Sequence, residues 1–220
     1  LTEIGIDPSG QRGIHLIYAL NVRGILAQGP VVHRDDAVSR EQLFVLADEW
    51  IPETAPPEDP LAELFVRYVD GHGPVTVADF AWWSGLPITT AREAAERAQG
   101  RVTERAEGVY LGATRPRRES GADDAATLAL PMFDEYYISY ADRSAVASAQ
   151  SMALIGPGKN GMVRASLLTA GRVAGAWTHS AAVGRHRDEP IPELFDGEPV
   201  PDPTAVTAAL RRYADFVSAH

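Results

Sequence analysis

Four side chains between Asp134 and Arg143 carry the densest chemistry in the sequence. In the stretch Leu128-Ala-Leu-Pro-Met-Phe-Asp-Glu-Tyr-Tyr-Ile-Ser-Tyr-Ala-Asp-Arg143, the carboxyls of Asp134, Glu135 and Asp142 can supply an acid and a base, with Arg143 as an orienting cation. A bland reading competes: Asp134 caps a short helix, and Asp142 or Arg143 pairs structurally. A second group is basic. Arg92, Arg97, Arg101 and Arg105 fall on a predicted helix and the hairpin after it, and guanidinium groups so placed can contact the phosphates and base edges of duplex DNA. Between positions 89 and 118 there are seven arginines against four acids. Arg92 with Glu96, and Glu93 with Arg97, also have the i, i+4 spacing of solvated surface pairs. Other chemistries find no support. None of the six histidines has the spacing of a zinc-hydrolase helix, so no metal site is expected. There is no Gly-x-Ser-x-Gly elbow, and the turn at 156–161 lacks the spacing and following helix of a phosphate loop. No cofactor is expected.

The elements that must position these residues centre on 61–113. Leu61, Leu64, Phe65, Tyr68 and Val69 repeat with helical period after Pro60, and the helix stops at Gly71-His72-Gly73-Pro74. Pro74-Val75-Thr76 is one extended rung. Thr76 is placed to cap a second helix, Val77 to Ser84, with Asp79 in its first turn and Phe80 and Trp83 turned to the first helix. Gly85-Leu86-Pro87 turns the chain, and Thr89 or Thr90 is expected to cap a third helix, Ala91 to Gln99, whose alanines form a close-packing face. Alternation on each side of Glu107-Gly108 predicts a hairpin. Helix, rung, helix, turn, helix, hairpin is the order of a winged helix-turn-helix.

On either side the signals are weaker. Ser9 is placed to cap a helix over 11–24, and 25–27 with 43–46 read as two strands around the loop His33-Arg34-Asp35-Asp36, the back half of another winged helix. Pro52 to Pro60 is a stiff acidic connector. Residues 115–124 read as a polar linker. Residues 162–177 read as a hairpin around Ala170-Gly171, and Asp202-Pro-Thr204 opens an amphipathic tail helix with Val206, Leu210, Tyr213 and Val217 in line, packed on the last sheet. The expected class is therefore α+β: tandem winged helix-turn-helix units, with boundaries at 1–52 and 58–114, followed by a small β-rich domain with a terminal helix at 126–220.

Composition bounds the partners. The 220 residues carry a net charge of −10 and no cysteine, which excludes disulfides, thiol catalysis and thiolate metal sites. The acidity is uneven, with ten acids against four bases in 1–60 and ten against eight in each of 61–125 and 126–220. An overall acidic chain is the wrong sign for wide nucleic-acid wrapping. No leader or membrane-length apolar run is visible, and a cytoplasmic protein is expected. The opening residues read as mid-domain, so a fragment of a longer chain is expected.

Four blocks, 19–30 (ALNVRGILAQGP), 67–86 (RYVDGHGPVTVADFAWWSGL), 130–143 (LPMFDEYYISYADR) and 161–179 (GMVRASLLTAGRVAGAWTH), together resemble the bacterial winged-helix family that includes the azinomycin-resistance and interstrand-crosslink DNA glycosylases. The resemblance covers nearly the whole chain. It implies duplex DNA as the partner, a concave DNA face, and excision of alkylated or crosslinked bases. The Gln-x-Gln or Gln-x-Asp motif of such glycosylases is absent, since Gln11, Gln28, Gln42, Gln99 and Gln150 are isolated, so no catalytic residue carries over. Two readings of other classes stand beside it: a protein-binding scaffold built from winged helices, and an independent hydrolase using Asp134, Glu135 and Asp142.

Overall fold

A computed structural model describes residues 2–32, 42–113, 126–179 and 189–218. The loop at His33–Asp36, the linker arginines Arg115, Arg117 and Arg118, and His186 lie outside the described residues. The fold is α+β, and the chain divides into two compact units at Pro56/Pro57. Among the described residues no helix is long and apolar enough to cross a membrane.

The first unit holds α1 (Arg12–Val22), an antiparallel pair of β1 (Leu26–Val31) and β2 (Gln42–Leu46), and the single turn α2 (Ala47–Trp50). Ser9 does not cap α1. Its hydroxyl donates instead to Asp7 Oδ2 at 2.7 Å, and the cap position falls to Gln11 in a left-handed conformation. The competing acceptor two residues away closes a local turn before the hydroxyl can reach the helix.

The second unit begins with α3 (Pro60–His72). Asp59 accepts from the Leu61 and Ala62 amides at 3.1 Å each, and Pro60 fills the first turn, where its missing N–H costs nothing. The buried face is Ala62, Phe65, Val66, Tyr68 and Val69; Leu64, expected in the stripe, faces solvent. A Cβ on Gly73 would come 2.7 Å from the Val69 carbonyl oxygen, so the helix ends on a residue without one. β3 (Val75–Thr76) leads into α4 (Val77–Ser84) through a reciprocal cap: Asp79 N–H donates to Thr76 Oγ1 at 3.2 Å, and Thr76 N–H donates to Asp79 Oδ2 at 2.8 Å. Gly85 ends α4 at φ 71°, a left-handed turn that favours glycine.

α5 (Ile88–Arg97) starts three residues before the expected point. Pro87 holds the cap position, and Thr89 and Thr90 lie inside the helix. Proline fixes its own φ near the value a helix entry needs, so no hydroxyl cap is required. Ala91, Ala94, Ala95 and Ala98 are buried against α3 and α4 around Phe65 and Phe80, whose rings meet edge to face at 5.1 Å. Each fully buried aromatic of this kind contributes about 1.5–3 kcal/mol. The hairpin β4 (Val102–Ala106) and β5 (Val109–Gly112) follows, and β5 also pairs with β3, giving the order β3-β5-β4.

The rest of the unit is a four-stranded antiparallel sheet in the order β6-β7-β8-β9: β6 (Thr127–Leu130), β7 (Ser166–Thr169), β8 (Arg172–Thr178) and β9 (Ile191–Leu194). Both faces are covered. Leu168, Val173 and Ala176 pack with Tyr137, Ile155 and Phe195 on one side, beneath α6 (Glu135–Ile138) and α7 (Ala149–Ile155). Leu167 and Trp177 pack with Val206 and Leu210 of α8 (Pro203–Ser218) on the other. Asp202 opens α8 by accepting from the Thr204 amide at 2.6 Å.

Candidate functional site

α6 is one turn long, far too short to persist alone. Its first turn is fixed by Asp134, which accepts from the Tyr136 amide at 2.9 Å. Its last carbonyls have no helical partner, as in any helix, and side chains from elsewhere supply the missing donors. Arg143 Nε donates to the Tyr137 carbonyl at 2.9 Å, Trp82 Nε1 to the Ile138 carbonyl at 2.8 Å, and the Tyr68 hydroxyl to the Ser139 carbonyl at 2.8 Å. Two of those three donors come from α3 and α4. The helix is therefore assembled by the elements it docks against.

At the other end of the seam stands His72. Its Nδ1 lies 3.0 Å from the Tyr68 carbonyl oxygen and its Nε2 2.7 Å from Glu135 Oε2. Carbonyl and carboxylate oxygens only accept, so a ring nitrogen that carries hydrogen donates to the oxygen it faces. The Tyr68 ring stacks on His72 at 4.6 Å, and Tyr140 donates to the His72 carbonyl at 2.8 Å. Glu135 Oε2 accepts from two further donors, Trp83 Nε1 at 3.3 Å and the Ser139 hydroxyl. The Ser139 hydroxyl, then His72, hold the Glu135 carboxyl below its ordinary range. Burial pushes the Tyr68 phenol up. Asp79, besides capping α4, accepts from the Ala141 amide at 2.9 Å and so ties the chain after α6 to α4.

Trp82, Trp83, Phe133, Glu135 and Arg143 line a cleft of about 380 Å³ beside this seam. The Arg143 guanidinium sits 4.9 Å over the Trp82 ring and 5.2 Å from that of Tyr137, and its buried Nη2 has no hydrogen-bond partner among the described residues.

The three carboxylates considered from sequence sit in different surroundings. Asp134 serves as the helix cap, and Asp142 accepts from the Ser144 amide at 2.9 Å. Only Glu135 of the three lines the cleft. The residues that hold it, His72, Trp83 and Ser139, were not singled out for chemistry. The signal was present as two aromatic-rich blocks, 67–86 and 130–143, but nothing in either announces that they meet.

The four arginines separate into two kinds. Arg97 pairs with Glu93 and lies 3.5 Å from Asp59; Arg101 pairs with Glu63, which also holds Arg67 at 2.7 Å. Arg92 on α5 and Arg105 on β4 are exposed and make no ion pair among the described residues. Among the described residues no group of three or more metal-ligating side chains occurs.

A family model described as DNA glycosylase AlkZ-like matches residues 2–216. No protein of curated function matches the chain. Among solved structures it is similar to the Streptomyces sahachiroi DNA glycosylase AlkZ, with 20% identity and a TM-score of 0.63, over 88% of this chain and 53% of that one. That likeness is one of fold, and the chain spans about half the length of the solved structure.

Proposed function

The chain belongs to the AlkZ-like DNA glycosylase family, and from that premise we propose that it holds DNA in the repair of alkylated or crosslinked bases. In this reading, residues 58–114 are a winged helix, with α5 as the helix that enters the major groove and β4-β5 as the wing. The first unit is the back half of a second winged helix. Arg92 and Arg105 make the primary phosphate contacts, because among the described residues their charge meets no carboxylate. Arg97 and Arg101 contribute less, since contact with DNA first requires them to leave Asp59, Glu93 and Glu63. The observation that carries the reading is the family match along 2–216.

A second reading, a protein-binding scaffold, draws on the net charge of −10 and on the two neutralised arginines. Fluorescence anisotropy with a labelled duplex separates the two. Binding that weakens steeply with salt is expected, and Arg92→Ala with Arg105→Ala should reduce the log–log salt slope by about 2, at roughly 0.9 per lost phosphate contact. Arg97→Ala with Arg101→Ala should change it less. No duplex binding at low salt, or binding indifferent to both pairs, would favour the scaffold.

A further inference from the structure

All three donors that fix Glu135 converge on one oxygen, Oε2. No hydrogen bond to Oε1 occurs among the described residues, and the side chain is 62% exposed. The carboxylate is thus clamped at one oxygen and offers the other as a fixed acceptor. The walls beside it are aromatic: Trp82 is 50% and Phe133 45% exposed. Both indole N–H groups are already spent, on the Ile138 carbonyl and on Glu135, so the tryptophans present carbon surface to the cleft. Phe133 sits at φ 60°, a conformation that a bulky residue rarely adopts, with its ring left partly in solvent. Arg143 lines the cleft; its Nε is committed to a carbonyl and its Nη2 is buried, which leaves Nη1, with no hydrogen bond among the described residues, as the donor.

These features select a ligand by elimination. A phosphate or carboxylate would meet the Glu135 charge, and an ammonium group would meet Arg143. A neutral flat ring, with an N–H donor and an acceptor along one edge, satisfies both while covering the aromatic surface. The cleft's volume of about 380 Å³ lies within the range of small-molecule sites, roughly 300–1,000 Å³. We propose that this cleft binds a single unpaired nucleobase, with its N–H donating to Glu135 Oε1, its carbonyl or ring nitrogen accepting from Arg143, and its ring against Trp82 and Phe133. The choice of a nucleobase among such rings rests on the DNA reading above; the demand for a neutral flat ring does not. Unpaired bases are what proteins that act on bases receive, and aromatic faces are how single bases are held.

The test has two arms, both on the whole chain. In the first, tryptophan fluorescence is titrated with guanosine, adenosine and inorganic phosphate. Saturable quenching by a nucleoside and none by phosphate is expected, with affinity lowered tenfold or more in Glu135→Gln and Trp82→Ala and held within about threefold in Trp82→Phe. Phe133→Ala, which leaves the seam intact, should lose a similar factor and covers the case in which a Glu135 variant fails to fold. In the second arm, a duplex with one unpaired base is compared with its fully paired counterpart. Wild type should prefer the former at least fivefold, and Glu135→Gln and Phe133→Ala should lose that preference without losing the paired duplex. Duplex binding with no preference and no nucleoside quenching overturns the cleft proposal and leaves the DNA reading standing. Nucleoside quenching without any duplex binding does the reverse.

Discussion

Replacing Tyr68 by Phe removes a single oxygen and tests whether the seam between α3 and α6 is held by buried polar contacts. The Tyr68 ring makes the aromatic contacts, at 5.5 Å to Phe80, 5.0 Å to Trp83 and 4.6 Å to His72, and Phe preserves all of them. What is lost is the hydroxyl that donates to the Ser139 carbonyl at 2.8 Å. Both residues are 1% exposed, so no water can take its place. The cost is the net value of the hydrogen bond plus that of a stranded buried acceptor, about 2 kcal/mol in total within a range of roughly 1–3. For a unit of this size that is a fall of roughly 4–8 °C in melting temperature. Thermal unfolding followed by circular dichroism reads the total, and amide hydrogen exchange should place the loss in α6 and the residues after it. Trp82→Phe is the internal comparison: it removes a donor to the neighbouring Ile138 carbonyl at a half-exposed site, where water can replace it, so its cost should stay below about 1 kcal/mol. A Tyr68→Phe variant as stable as wild type, or one no worse than Trp82→Phe, would refute the reasoning.

Asp79→Asn puts an amide where Asp79 accepts from Thr76 and Ala141, so at least one N–H must face another donor; a loss of about 2–3 kcal/mol in urea unfolding is expected. Glu135 is held below the ordinary carboxylate value by Ser139 and His72, so its contribution to stability is present above about pH 4.3, its unfolded value, and is lost as pH falls through the lower folded value. The stability difference between wild type and Glu135→Gln should therefore shrink as pH is lowered from 6 to 3, measured by chemical unfolding at each pH; a difference that grows in acid would contradict this. Arg97→Ala should weaken the start of α3 and the end of α5 only slightly, because its ion pairs lie at the surface and are screened, and a clear fall in melting temperature would contradict this.

Residues 60–112 were legible because their signals are local. Pro60, Thr76-x-x-Asp79 and Gly85 are end markers whose physics acts within four residues, and they set α3 and α4 almost to the residue. The start of α5 was misplaced because Thr89 and Thr90 look like caps, while proline, by fixing its own φ, opened the helix earlier without a hydroxyl. Leu64 was misplaced for a related reason: helical period fits more than one stripe, and packing against α4 and α5 selected the one through Ala62 and Val66. Ser9 lost its capping role to an acceptor two residues away.

The candidate site was legible only in parts. Sequence pointed to Glu135 and to the Trp82-Trp83 block, and to a family likeness that spans both, but it offered Asp134 and Asp142 as equals of Glu135. Their separation had to wait for the fold, because a carboxylate's role depends on which donors reach it. Asp134 and Asp142 meet amides two residues away, whereas Glu135 meets His72 and Trp83, more than fifty residues distant in the chain. The arginines divide for the same reason: Arg97 finds Glu93 within its own helix, a pairing visible in the spacing, but Arg101 finds Glu63 only when α3 lies beside α5. The sequence by itself determined the ends of α3 and α4, the hairpin turns and the α+β class, since caps, glycines and alternation act over a few residues. Tertiary structure decided the pairings between distant segments, such as Glu135 with His72, because those side-chain bonds form only after the packing of α3, α4 and α6 has brought them within 3 Å.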